Sequence, residues 1–490
     1  MDLPRGGSLK PEDELPSSAD WADNQEIEAT SELVTGRSLN DVNGAFLIGR
    51  TANRQKRYLG YKDDRHIVTI AGSRAGKGRS AILPNLALWP GSVIVTDPKG
   101  ENAAATARSR KAMGQTVVVL DPFGTTAAAL PPELRMRFNP LDRVASSASP
   151  VDEAGLLADA MIVQESEQGE HFTLAARNLL HGLILYYTLH GPADQPGPGG
   201  AKGTLLDVRD ALTGGNDAQE QVLAEMTSLS VGDGQANGAI AAAAYSFLDK
   251  PEKEAGSVLS TAQEQTAFLE SPGVRKVLAD SDFDLDLLRT KSRLSLYIAL
   301  PARYLSTHGR LMRLMVTMAF TAIEAMGPYK ASEGPRVLAC LDEFPVIGHL
   351  SIIESAAGYM AGYGLILWSI LQDLSQLKRH YKEGWETFLG NAGLVQAFGN
   401  TDNTTLDYLE KRLGQRVILS RSISAQGIQA GKSSVSAGLQ SVPLLRAEEI
   451  GRHFGRASGM QLALVAGSLP VIAERTPWDG ERDLQKLLGQ

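Results

Sequence analysis

One cysteine in 490 residues, Cys340, leaves no pair for a disulfide and no thiolate set for a zinc site. A reducing compartment suits such a chain, and a cytoplasmic address is expected. Long apolar runs are also missing. The best stretch, residues 311–326, is interrupted by Arg313 and Glu324 and falls short of the roughly 18 to 20 apolar residues that span a bilayer. The first twenty residues, MDLPRGGSLKPEDELPSSAD, contain no apolar signal core, so the chain is expected to be neither exported nor self-anchored. A basic excess is absent too: 48 Lys and Arg stand against 56 Asp and Glu, a net charge of −8. Most of that charge lies in residues 1–35, where nine carboxylates face only Arg5 and Lys10. The remainder is nearly neutral, which argues mildly against a protein coated in nucleic acid, although a ring with a charged lumen is compatible with it. The eight histidines show no paired-ligand spacing, and no GxSxG nucleophile elbow occurs.

What is present describes a globular protein: 43% hydrophobic and 21% charged residues, with length for two to four domains of roughly 100 to 200 residues each. Residues 1–40 are acidic and rich in Pro and Ser, and read as a flexible N-terminal arm, with the fold beginning near Phe46. Apolar runs at 66–70, 92–96 and 116–120 read as strands of a parallel sheet covered on both faces, the last two followed at once by Asp-Pro. Between residues 151 and 290 the texture changes to Ala, Leu and Glu at helical spacing, predicting an inserted all-helical domain. Strand patterns return at 294–300, 337–341, 365–371 and 394–398. The predicted organisation is therefore an α/β nucleotide-binding domain in two parts, 41–150 and 291–490, split around the insertion. Residues 421–441, rich in Ser, Gly and Gln, read as a flexible loop.

Three segments carry chemistry. HIVTIAGSRAGKGRSAILPNL, residues 66–86, is a strand, a small-residue loop and a helix start. Phosphate oxygens need a concave set of backbone N–H groups, a helix N-terminus and one flexible cation, and residues 71–79 offer all three. Gly72, Ser73, Arg74, Ala75, Gly76, Lys77, Gly78 and Arg79 are the candidate cradle, with Lys77 the cation. The segment departs from GxxxxGK(S/T) at Ala71 and at Gly78, where a hydroxyl would contact magnesium. Ser80 is expected to face away, so water would take a larger part in holding the metal. A glycine-rich turn with an incidental lysine is the plainer alternative.

The second segment is the apolar strand 336–341, ending in Asp342 and Glu343. In phosphate-loop ATPases an Asp so placed holds magnesium through water and the next Glu orients the attacking water. A solvated acidic pair is the alternative. The third, residues 364–372, is a buried strand ending in Gln372, whose amide can hydrogen-bond a terminal phosphate; a surface Gln that begins the next helix is the alternative.

These segments, with WPGSVIVTDPKGE (89–101), LDPF (120–123), FNPL (138–141) and LDEFP (341–345), stand in an order that resembles the type IV secretion coupling proteins, the TraG/TraD-like conjugative DNA-transfer ATPases. The resemblance runs from about Phe46 to Pro477. It implies a RecA-like P-loop NTPase domain with a parallel-rich central sheet and an inserted all-α domain. Catalytic roles are implied for Lys77, Glu343 and Gln372, with Asp342 on the metal and ATP and Mg2+ as nucleotide and cofactor. The implied partners are further copies in a nucleotide- or DNA-dependent hexamer, relaxase-bound single-stranded DNA or protein effectors, and inner-membrane secretion components. The expected location is the cytoplasmic face of that membrane.

Two departures stand out. Family members usually begin with two membrane-spanning helices, of which this sequence has none. The place about eleven residues before the sensor Gln, where some members carry an arginine finger, holds Ala361, which leaves Arg303 or Arg412 as candidates. Two other readings use the same residues: a cargo adaptor with little ATPase activity, and an FtsK-like double-stranded DNA translocase, which would lack the DPKGE and DEFP segments.

Overall fold

The computed structural model describes residues 19–163, 169–192, 197, 199–230, 232, 234–425 and 433–489. Fourteen strands are formed among them: β1 (Leu33–Gly36), β2 (Phe46–Thr51), β3 (Tyr58–Tyr61), β4 (His66–Ala71), β5 (Val93–Asp97), β6 (Thr116–Leu120), β7 (Leu294–Ala299), β8 (Val337–Leu341), β9 (Leu365–Leu371), β10 (Ala392–Phe398), β11 (Gln415–Ala425), β12 (Ser433–Pro443), β13 (Met460–Val465) and β14 (Val471–Glu474). Twelve of them build one sheet in the order β1-β3-β2-β14-β13-β10-β4-β9-β8-β5-β7-β6. From β10 to β6 every pairing is parallel, and from β13 outward every pairing is antiparallel.

The parallel strands are apolar throughout because both faces are covered. Alternate residues feed two separate cores: Val68, Ile70, Ile94, Val118 and Leu120 point to one, Ile67, Val93, Val95, Val117 and Val119 to the other. Each fully buried Val or Ile contributes on the order of 1.5 to 3 kcal/mol relative to exposure, so a one-residue register slip would exchange both cores and is disfavoured. Trp368 of β9 lies edge-on to Phe46 at 4.7 Å and donates its indole N–H to Thr69 Oγ1 at 2.9 Å, tying β9 to β4 and to the antiparallel wing.

Between β6 and β7 every regular element among the described residues is helical, including the long helices Pro150–Met161 and Glu170–His190. These helices are continuous with the sheet's core, since Leu157, Met161, Leu180 and Ile184 belong to the same buried cluster as Ile70 and Val118. The helix Leu305–Ala325, which follows β7, lies between them and the sheet.

Two expectations are corrected. The acidic arm expected over residues 1–40 is shorter, since residues 19–42 are part of the fold, while 1–18 lie outside the described residues. Ala19 and Ala22 donate backbone N–H groups to the carbonyls of Gln415 and Pro470, and β1 pairs with β3. The acids here serve as caps: Asp23 and Glu26 form a capping box on the helix Asn24–Ala29, and Asp41 accepts from the backbone of Arg37 and Ser38. This leaves Ile27, Leu33, Leu39 and Val42 to be buried. The loop expected at 421–441 is largely β-structure, because β11 and β12 pair antiparallel from Gln415↔Pro443 to Ala425↔Ser433. Residues 426–432 lie outside the described residues.

Candidate functional site

Strands β4, β9, β8 and β5 are consecutive and parallel, so their carboxyl ends open on one edge of the sheet. That edge is where a doubly covered sheet presents loops without disturbing its core. The loops after these four strands enclose a cavity of about 370 Å³. Gly72, Ser73, Arg74, Gly76, Lys77 and Gly78 line it from β4, Asp342 and Glu343 from β8, and Gln372 from β9. Four segments up to 300 residues apart therefore meet because the topology makes their strands neighbours.

The loop after β4 is shaped by local conformational demands. A Cβ on Gly72 would come 1.8 Å from the carbonyl oxygen of Gly399, so only glycine lets this loop lie against the one after β10. Arg74 and Gly76 have φ of 56° and 92°, reversals that curve the loop around the cavity, and the bond from the Ala75 N–H to the carbonyl of Gly72 at 3.0 Å closes its first turn. The helix that follows starts with a π-helical turn, Gly78–Ile82, before Leu83–Leu88. Ser80 is buried, as its expected orientation away from the site requires.

Lys77 reaches across the cavity, its Nζ 2.9 Å from Asp342 Oδ1 and 2.8 Å from Glu343 Oε1. Gln372 Nε2 donates to the other Glu343 oxygen at 3.1 Å. All four side chains thus form one connected network. Burial alone would lower the pKa of the Lys77 ammonium, but the attraction of Asp342 and Glu343 outweighs it and holds the pKa above its ordinary value. Glu343 adopts the left-handed conformation, φ 53° and ψ 38°, at the start of the 3-10 turn Phe344–Ile347. A non-glycine residue held there stores on the order of 1 to 3 kcal/mol of backbone strain, which the surrounding packing must hold in place. Thr96 fixes the same corner by donating its hydroxyl to the carbonyl of Asp342 at 2.8 Å.

The remaining candidates lie differently. Ala75 is buried with its side chain off the cavity, and Arg79 is turned outward to Asp479 at 2.5 Å. Ala361 precedes β9 at the opposite edge of the sheet from Gln372, with its carbonyl accepting from Arg336 at 2.7 Å. Arg303 lies over the ring of Tyr304 and Arg412 closes the helix Asn403–Leu413; neither lines the cavity.

Sequence reasoning left several lining residues unassigned: Asp97, Lys99, Glu101 and Asn102, from the loop after β5. Their signal was present as the DPKGE segment directly after an apolar strand. Asp97 is 1% exposed, and burial pushes its pKa up to about 6 despite the N–H bonds it accepts from Ala103 and Asn102; the charge of Asp342 adds to the rise. Arg475, which donates to the carbonyl of Ala75 at 2.6 Å, braces the β4 loop from the C-terminal end of the chain. A lone arginine so distant in sequence gave no signal.

The site fits a magnesium-bound polyphosphate. It offers a backbone concavity, the lysines Lys77 and Lys99, and the strand-end carboxylates Asp97 and Asp342, and a cation of this kind takes one or two carboxylates, phosphate oxygens and waters. A Cβ at Gly78 would meet nothing within 4 Å, so the position that lacks a hydroxyl borders open space that water can occupy. Among the described residues no cluster of three or more His, Cys, Asp or Glu side chains is arranged to hold a metal. No described helix is long and apolar enough to cross a membrane.

Known proteins resemble this chain in sequence and in fold. The sequence model of the family "Type IV secretory system Conjugative DNA transfer" matches residues 20–488. A conjugal transfer protein TraG of Escherichia coli is 30% identical over 467 residues, covering 90% of this chain and 71% of the relative. A VirD4 protein of Rhizobium rhizogenes is 27% identical over 450 residues, covering 88% of this chain and 61% of the relative. Among solved structures, the plasmid coupling protein TrwB in complex with a non-hydrolysable ATP analogue superposes with a TM-score of 0.63 at 13% identity, over 94% of each chain. TrwB in complex with ADP and Mg2+ gives a TM-score of 0.59 at 13% identity, over 91% of this chain and 94% of the other. The fold is accordingly the RecA-like P-loop fold.

Proposed function

The chain belongs to the type IV secretory conjugative DNA-transfer family, and from that premise we propose that it is an ATP-hydrolysing coupling protein that delivers relaxase-bound single-stranded DNA or protein effectors to a secretion channel. The observation that carries this reading is the contact of Lys77 with both Asp342 and Glu343, and of Glu343 with Gln372, at the mouth of the β4 loop. It gathers the cation, the two carboxylates and the amide of a phosphate-loop ATPase in one cavity.

In this reading the backbone from Gly72 to Arg79 cradles the phosphates. Lys77 leaves the two carboxylates for the β and γ phosphates, a transfer from one set of anionic oxygens to another that keeps its charge compensated. Asp342 would hold the Mg2+, and the ion, when bound, would supply positive charge against that developing on the phosphoryl oxygens. Glu343, freed from Lys77, orients the attacking water. Gln372, already bonded to Glu343, links that carboxylate to the presence of the γ-phosphate.

Among the described residues the helical stretch 151–290 contributes none to the lining of this cavity, and it is proposed as an inserted domain that recognises cargo, flanked by nucleotide-domain segments 41–150 and 291–490. The proposed assembly is a nucleotide- or DNA-dependent hexamer at the cytoplasmic face of the inner membrane. Completion of the site by a neighbour's arginine is expected to be weak, since the usual finger position holds Ala361. ATP turnover measured with and without single-stranded DNA tests the motor reading. Turnover that rises with DNA supports it, whereas binding without turnover under both conditions would make the chain an adaptor.

A further inference from the structure

Arg313 stands in the middle of the helix Leu305–Ala325, on a stretch otherwise buried and mostly apolar, and is itself only 7% exposed. Burying a guanidinium is costly unless its donors are satisfied. Here its partners are backbone carbonyls, and among the described residues it forms no ion pair. Nε donates to Ala160 at 3.0 Å, and Nη1 donates to Ile347 at 3.0 Å and to His349. Burial lowers its pKa to about 10, which leaves it charged at neutral pH.

The three carbonyls belong to two segments that lie far apart along the chain and meet at this guanidinium. Ala160 lies in the last turn of the helix Pro150–Met161, in the helical stretch between β6 and β7, where carbonyls lack intrahelical partners. Ile347 and His349 flank Gly348, whose φ of 71° turns the chain so that both neighbouring carbonyls face one guanidinium nitrogen. They close the turn that Glu343 opens. The near end of that turn is anchored by Phe344, fully buried against Tyr381 and Phe388, and the far end by Arg313 together with the Tyr381 hydroxyl, which donates to the carbonyl of Gly348 at 3.4 Å.

Parallel contacts follow the same route. Ser351 donates to Asp159 at 3.1 Å, and Arg310, one turn before Arg313, donates to Gln265 Oε1 at 2.8 Å. Arg110 provides the contrast: it is fully buried and bonded to the carbonyls of Leu86, Trp89 and Gly91 and to the side chains of Gln115 and Ser295, partners that all surround the parallel sheet at β5, β6 and β7 and include none from the helical stretch. Arg110 is a local staple, whereas Arg313 bridges two units.

We infer that Arg313 is a positioning residue that ties the turn carrying Glu343 to the helical stretch 151–290, so that the rate of ATP hydrolysis depends on how that stretch is packed. The inference rests on the ATPase reading above, and its test separates the two. Hydrogen exchange of the wild-type chain, with and without a non-hydrolysable ATP analogue and Mg2+, is read at the peptides covering 344–349 and 157–162. Nucleotide is expected to alter exchange at both. An effect confined to the first overturns the coupling even if the chain hydrolyses ATP, while a chain that binds no nucleotide overturns both readings.

Turnover supplies the second arm. In Arg313→Met, kcat is expected to fall about ten- to a hundredfold, with the Kd for nucleotide changed by less than about twofold. The nucleotide-dependent change at 157–162 should disappear. Arg313→Lys, which keeps the charge and can reach one carbonyl, should recover part of kcat. A parallel loss of kcat, nucleotide affinity and melting temperature in both variants would make Arg313 a staple like Arg110 and overturn the inference.

Discussion

Replacing Glu343 by Gln separates binding from chemistry at this site. The substitution keeps the shape of the side chain and one carbonyl oxygen for Lys77, and Gln372 can satisfy the new NH2 by turning its own amide over. What is lost is the charge. In the nucleotide-free chain, Lys77 must leave Asp342 and Glu343, at 2.9 and 2.8 Å, before it can reach a phosphate. The ammonium's bond to the new amide oxygen stays charge-assisted, so what is lost is the ion pair's attraction, about 1 kcal/mol for a partly exposed pair. ATP affinity should therefore be unchanged or improved by up to about fivefold. The rate behaves oppositely, because loss of the group that orients and deprotonates water removes stabilisation of the transition state alone, typically about 10²- to 10⁴-fold. Equilibrium titration with a fluorescent ATP analogue gives the first quantity, and phosphate release at saturating ATP the second. Parallel weakening of both would assign Glu343 a structural role in the strained turn, and unchanged turnover would remove it from the chemistry.

Lys77→Ala should weaken nucleotide binding or turnover about ten- to a hundredfold, the value of one charge-assisted contact to a polyphosphate; normal hydrolysis would show the cradle to be misassigned. Gln372→Ala should lower kcat more than it raises Kd, because its bond is to Glu343 and not to the cradle; a Kd effect as large as the kcat effect would count against the sensor role. The buried imidazole of His66 accepts the N–H of Leu367, and burial lowers its pKa to about 4, so the folded state excludes a proton that the unfolded state binds below about 6.5. Stability from this group rises with pH between about 4 and 6.5. His66→Asn, which keeps an acceptor, should therefore destabilise less at pH 4.5 than at pH 7, by on the order of 2 to 3 kcal/mol in urea unfolding. Asp97 titrates in the opposite sense, but equally in both chains; a pH-independent difference would mean His66 is not held neutral.

The parallel half of the sheet was legible because its strands carry unbroken apolar runs that end in turn residues. That legibility extends to the cavity: once strands 66–71, 337–341 and 365–371 are recognised, Lys77, Asp342, Glu343 and Gln372 necessarily stand at one edge. The antiparallel wing was less legible. β13 and β14 are short and gave no separate signal, and composition hid β1, whose neighbours Asp23, Glu26 and Asp41 look like a solvated acidic arm until they are seen capping their own segment. Residues 421–441 were misread for a related reason, since Ser and Gly dominate a ribbon whose cross-strand register only pairing reveals. Arg475 and Arg313 could not be found from sequence at all. Their partners are carbonyl groups, which every residue has, at distances along the chain that no local pattern encodes.

The central claim is that the cavity at the carboxyl ends of β4, β5, β8 and β9 holds the phosphates of ATP, with Lys77 changing partners when they arrive. A crystal structure of the chain with a non-hydrolysable ATP analogue and Mg2+ tests this most directly. The account predicts the triphosphate against the backbone of residues 72–79, with Lys77 Nζ moved from Asp342 and Glu343 to the β and γ oxygens. An analogue bound elsewhere, or a bound analogue with both lysine–carboxylate contacts intact, would contradict it.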